Sequence, residues 1–327
     1  MRLAEIVALI AFWPLLASAG DVAQWKHEWP RTDFTRHNID LGEVTSGGPP
    51  KDGIPPIDDP RFLPHGEVKN LGSREPVITI GIDGDFRAYP LRILIWHEIV
   101  NDVVGGVPIS VTYCPLCNSS VVFDRRIQLP TGRERVLDFG TTGKLRKSDL
   151  VMYDRQTESW WQQFLGEAIV GELVGTRLRM IASRVESFER FKGRHPGGRI
   201  LVPAHSKERP YGRNPYVRYD TSAKPFMYSG TLPDGIAPLA HVVVVGDEAW
   251  SLELLKARGL IETDELVLTW EPGQNSVLDA SEIYDGRDIG NVVVQRRTSR
   301  GLEDAVYDVS FAFAFHAMRP EGRLYVR

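Results

Sequence analysis

Only two cysteines, Cys114 and Cys117, occur in 327 residues, so no set of thiols from this chain alone completes a tetrahedral metal site. A metal here needs imidazole, carboxylate or thioether as well. An excess of charge of one sign is also lacking: 39 Lys and Arg against 43 Asp and Glu leave a formal net charge of −4, and nothing in the chain resembles a nucleic-acid module. After the first residues no apolar run approaches the roughly 20 residues that a membrane-spanning helix needs. A Gly-Xaa-Ser-Xaa-Gly elbow is missing, which removes the usual signature of a serine hydrolase. Phe139-Gly140-Thr141-Thr142-Gly143-Lys144-Leu145 lacks the spacing of a phosphate loop and reads as a turn. Asn118 follows Cys117 where haem attachment requires histidine.

What is present begins with export. Met1-Arg2, an apolar run from Ile6 to Leu16 and Ala17-Ser18-Ala19-Gly20 have the charged start, hydrophobic centre and small-residue exit of a signal peptide over residues 1–19. A periplasmic or secreted mature chain is expected, in an oxidising compartment, with no transmembrane segment once the signal is removed. Residues 20–76 are polar and rich in proline and glycine, as in Ile54-Pro55-Pro56-Ile57, which predicts an extended segment lying over the main body.

Val77–Ile82 reads as a strand with a turn at Asp83-Gly84-Asp85, and Pro90 to Val104 as a buried helix stopped by Gly105-Gly106. Strands then flank the cysteine turn, Val107 to Tyr113 before it and Val121 to Phe123 after it.

Self-similarity organises the rest. Ala88-Tyr89-Pro90-Leu91-Arg92-Ile93-Leu94 corresponds to Ala249-Trp250-Ser251-Leu252-Glu253-Leu254-Leu255, and Tyr113-Cys114-Pro115-Leu116-Cys117-Asn118-Ser119 to Trp270-Glu271-Pro272-Gly273-Gln274-Asn275-Ser276. Phe191 to Val202 corresponds to Phe315 to Val326. Three matches in one order predict a β-rich α+β fold of two unequal pseudo-repeats of a strand-helix-strand-turn-strand unit, residues 77–203 and 241–327, joined by a connecting segment 204–240. Cys114 and Cys117 stand where the second copy has Glu271 and Gln274, so the turn itself does not require sulfur.

Two thiols at this spacing between strands suit a metal knuckle. His97, on the preceding element, is the expected third ligand, with Met152 or His316 as a fourth, and Asn101, Glu98 and Asp154 as orienting groups. Sulfur with imidazole points to copper or zinc. A catalytic reading uses Cys114, Cys117 and Asp154, the last within the cluster Asp154, Arg155, Thr157 and Ser159, although such residues also build turns. The rivals are a periplasmic thiol–disulfide oxidoreductase and a non-catalytic module that binds an anion or carbohydrate through Trp160-Trp161 and the basic segment Arg184 to Arg218. Against the first, strand-forming residues follow the motif, where thioredoxin-like enzymes place a helix. Expected partners are a small molecule or a metal-handling or redox protein, and no nucleic acid.

Arg87-Ala88-Tyr89-Pro90-Leu91, Trp96 to Asp102, Thr112 to Cys117, Phe139 to Leu145 and Asp154 to Gln163 together resemble the bacterial and archaeal proteins grouped as domain of unknown function 3179. The resemblance runs from about Asp52 to the C-terminus and implies membership without a reaction or cofactor. Members commonly carry glycine where this chain has Asn118, a residue that also tolerates a left-handed backbone.

Overall fold

The computed structural model describes residues 19–129, 131–205 and 209–327, with side chains from residue 22 onward. The export signal expected over residues 1–19 lies, but for Ala19, outside the described residues. Among the described residues no helix is long and apolar enough to cross a membrane.

Valine-rich runs punctuated by tight turns dictate strands, and these gather into five sheets of four or five strands plus a small ribbon. The sheets are arranged like the blades of a β-propeller. The expected α+β fold of two unequal pseudo-repeats is therefore corrected. The internal matches mark the same kind of corner in two of the five blades. Asp85–Pro90 runs into the helix Leu91–His97, and Glu248–Ser251 runs into the helix Leu252–Arg258. In each of those blades a late strand joins in parallel, Arg199–Val202 beside Asp85–Pro90 and Arg323–Tyr325 beside Glu248–Ser251. Each of these helices is a single short element of seven residues, and Phe139–Arg146, Asp149–Asp154, Trp160–Gln162 and Glu167–Val170 form a blade of their own with Val44–Ser46.

The helix expected over Pro90 to Val104 ends at His97, and Ile99–Val104 is a strand. Ile99, Val100, Val103 and Val104 satisfy a helical period on paper, but β-branched side chains fit the pleat better. Val104 pairs with Val107 across Gly105-Gly106, whose φ values of 53° and 77° make the primed turn of a two-residue hairpin. Phe139 to Leu145, expected as a turn, lies in the strand Phe139–Arg146.

The cysteine turn belongs to the blade ordered Arg179–Ile181, Ser119–Asp124, Val107–Cys114, Ile99–Val104. One apolar core runs through this blade and its neighbours, from Ile78 and Tyr89 through Tyr113, Cys114 and Cys117 to Phe311 and Phe313. A separate aromatic cluster seats the N-terminal segment. Trp25, Trp29 and Phe34 pack on Trp160 with ring centroids 5.2, 5.5 and 5.1 Å apart.

Candidate metal centre

Cys114 pairs with Ser119, so Pro115, Leu116, Cys117 and Asn118 form the connection of a hairpin that brings both sulfurs to one side. Asn118 takes φ 52°, and its side chain locks the turn by accepting from Tyr113 Oη at 3.1 Å and donating to the Val309 carbonyl at 3.0 Å. From the neighbouring blade Phe311 N–H and Ser310 Oγ donate to the Cys117 carbonyl at 3.0 and 2.9 Å. Backbone bonds thus fix the sulfurs from two blades.

Opposite them is the hairpin Phe139–Arg146/Asp149–Asp154, whose two-residue turn is Lys147-Ser148 with φ of 54° and 65°. Such a turn favours Asn-Gly, so Lys-Ser holds it at a cost. Its result is to aim two oxygen groups at the thiols. The Ser148 carbonyl accepts from Cys117 Sγ at 3.4 Å and Cys114 Sγ at 3.9 Å. Asp149 follows immediately. Its Oδ2 accepts from Gln162 Nε2 at 2.5 Å and Phe164 N–H at 3.1 Å, while the buried Oδ1 has no partner at hydrogen-bond distance. One ligand atom each from Cys114, Cys117 and Asp149 lies within 4.8 Å of the others. All three residues are almost wholly excluded from solvent.

Burial sets the electrostatics. It pushes both thiols up, Cys117 the further. It raises Asp149 to about 6, against donors from Gln162 and Phe164 that favour the ionised form, with the nearby thiols adding to them. Without a counter-charge the centre holds protons, and a cation would replace them.

Glu98 adds a further carboxyl. It ends the helix Leu91–His97 at φ 59°, ψ −33°, and the matching corner after Leu252–Arg258 has Gly259 at φ 69°, ψ −32°. Glycine adopts this backbone freely, whereas a side chain pays about 1–3 kcal/mol. Burial, then the charge of Asp149, raises Glu98 to about 8. Glu98→Gly is expected to stabilise the metal-free protein by about 1 kcal/mol or more at pH 8, since relief of strain and of a buried charge exceeds the glycine entropy cost. Urea unfolding in chelator checks this; a destabilised variant would contradict it.

The segment after Tyr216 covers the sulfurs. Tyr219 Oη donates to the Leu116 carbonyl at 3.1 Å and accepts from Phe226 N–H at 3.2 Å, and Ser148 Oγ donates to the Phe226 carbonyl at 2.6 Å. Ser148→Ala removes one of these ties. Thiol modification by a small disulfide reagent is expected to quicken by about threefold to tenfold, the equivalent of one hydrogen bond. An unchanged rate would mean that the sulfurs are reached by another route.

The other residues singled out in the sequence are engaged elsewhere. His97 is buried with Nδ1 2.7 Å from the Pro55 carbonyl and Nε2 2.7 Å from Tyr211 Oη, its ring stacked on Tyr211. It holds the proline-rich segment to the blade and is not in the thiol–carboxylate group. His316 Nε2 lies 3.3 Å from Thr231 Oγ1, and Met152 is buried in the strand next to Asp149. Asp154 accepts from Thr157 N–H at 2.6 Å and Trp161 Nε1 at 2.9 Å, which makes it the anchor of a turn. Asn101 bonds both the N–H and the carbonyl of Phe139. Trp160 and Trp161 are wholly buried and offer no face to a ligand. In the basic segment Arg184, Arg190, Arg194, Arg199 and Arg213 are ion-paired with Asp304, Glu271, Glu186, Asp85 and Glu282.

Sequence reasoning missed Ser148 and Asp149. The available signal was Lys147-Ser148-Asp149, a polar triplet between two strand-forming runs. Neither a curated protein nor a solved structure matches the chain. Residues 51–322 match the family described as protein of unknown function (DUF3179), most of the chain, and the protein belongs to that family.

Proposed function

We propose that this protein binds a transition metal, zinc before copper, at Cys114, Cys117 and Asp149, in a compartment outside the cytoplasm. The observation that carries the reading is that one ligand atom each from Cys114, Cys117 and Asp149 lies within 4.8 Å of the others, with the buried Asp149 Oδ1 left without a partner at hydrogen-bond distance. A buried oxygen left unpaired costs about 1–3 kcal/mol, and a cation at this point relieves that cost. Two sulfurs with one carboxylate oxygen form a borderline donor set, which suits zinc; copper(I) prefers sulfur alone. Gln162 Nε2 and Phe164 N–H fix the other carboxylate oxygen and so orient the ligand. The export-like N-terminus supports the location.

Three protein donors leave one position of a tetrahedron to another ligand. The metal would be a resident group, since burial and the covering segment oppose rapid exchange. The same burial disfavours thiol–disulfide exchange, which needs an exposed thiolate of lowered pKa. Stripping the reduced, full-length protein with chelator and titrating zinc tests the reading. One equivalent bound in wild type and less than a tenth of that in Cys114→Ser under the same chelator competition is expected; stoichiometric zinc untouched by the substitution would refute the assigned donors.

A further inference from the structure

A cleft of about 460 Å³, not lined by either cysteine, lies between the blade carrying Ser119–Asp124 and those carrying His241–Val245 and Asn291–Thr298. Its size falls in the range of about 300–1,000 Å³ typical of small-molecule sites. Val121, Val122, Phe164, Met180 and Ile181 supply apolar walls. Asp308 lines the cleft and is only 8% exposed.

The charged side chains lining the cleft are already ion-paired, with one exception. Arg296 pairs with Glu265, Glu303 with Arg300, Asp304 with Arg184 and Arg319 with Asp247. Tyr307 Oη donates to the Val292 carbonyl at 2.7 Å. Asp308 Oδ1 accepts from Ser120 N–H at 2.8 Å, the Ser119 hydroxyl and Val309 N–H also favour its ionised form, and its buried Oδ2 has no partner at hydrogen-bond distance. A buried carboxylate without counter-charge in the wall of a cleft asks for a cation. A metal ion would need several donors converging on it, and among the described residues the cleft holds no such group.

We propose that this cleft binds a small organic amine, with its ammonium group on Asp308 Oδ2 and its apolar body against Phe164, Met180 and Ile181. The site is separate from the thiol–carboxylate centre, and its occupancy does not require metal there. A neutral molecule of the same shape would gain the apolar contacts but leave the carboxylate uncompensated.

Calorimetric titration of the full chain with 2-phenylethylamine and with 2-phenylethanol tests this. The amine is expected to bind at least about tenfold more tightly, as befits a charged hydrogen bond in a buried site. Asp308→Asn is expected to erase that preference. Ile181→Trp, which leaves the carboxylate in place and fills the cleft, is expected to weaken the amine by a similar factor, with an unchanged circular dichroism spectrum showing that the variant folds. Equal affinity for amine and alcohol, an undiminished preference in Asp308→Asn, or no binding of 2-phenylethylamine, tryptamine and cyclohexylmethylamine at millimolar concentration would overturn the proposal.

Discussion

Replacing Cys117 by serine is expected to lower zinc affinity more than about a hundredfold, beyond the 10- to 100-fold that loss of an outer hydrogen-bond partner costs. The sulfur is one of three donors drawn together by two separately anchored turns, and among the described residues no further His, Cys, Asp or Glu belongs to that group. Asp149→Asn keeps the side chain's size and an oxygen to accept from Gln162 or Phe164, but removes the negative charge. Its affinity is expected to fall by about tenfold to a hundredfold, between a lost ligand and a lost orienting bond. His97→Gln, by contrast, is expected to leave zinc affinity within about threefold while it loosens the segment bearing Pro55, because the imidazole is engaged with Pro55 and Tyr211. Competition against a chromophoric chelator measures all three. A His97 variant weaker than the Asp149 variant would reverse the assignment of donors. Binding is also expected to weaken steeply below neutral pH, because both thiols and the carboxyl must release protons to the solvent.

The metal-free protein is expected to lose stability as pH rises from 5 to 8. Glu98 is raised to about 8 and Asp308 to about 7, in each case first by burial. In the unfolded chain both ionise near the ordinary carboxylate range, so between pH 5 and 7 the folded state holds protons that the unfolded state has released. Stability is then fully present at low pH and is lost as pH passes through the folded values. Each group contributes on the order of 4 kcal/mol across the whole window. Urea unfolding in chelator at pH 5, 6, 7 and 8 reads this directly. Glu98→Gln and Asp308→Asn should each flatten part of the slope, and a wild-type protein more stable at pH 8 than at pH 5 would contradict the account.

Parts of this arrangement are legible in the sequence because they depend on neighbours. Cys114-Pro115-Leu116-Cys117 lies between runs that can only be strands, and Asn118 supplies the left-handed residue the turn requires. The third donor is different in kind. Asp149 comes from another blade, and only the Lys147-Ser148 turn and the packing of two hairpins bring it to the sulfurs. His97 looks like a ligand in one dimension, yet its ring meets the proline-rich segment, whose path no local pattern encodes. The run Ile99 to Val104 satisfies helical and strand periods together, and the unfavourable φ of Glu98 decides between them. The internal matches mark two similar blade corners and not a two-unit fold, and they say nothing of the blade formed by Phe139 to Val170, which has no counterpart among them.

X-ray absorption at the zinc edge, on chelator-stripped protein reloaded with one equivalent, tests the central claim most directly. Two sulfur scatterers at about 2.3 Å and oxygen at about 2.0 Å are predicted, with one sulfur lost in Cys117→Ser. A first shell of nitrogen and oxygen without sulfur, or a sulfur count unchanged in that variant, would contradict it.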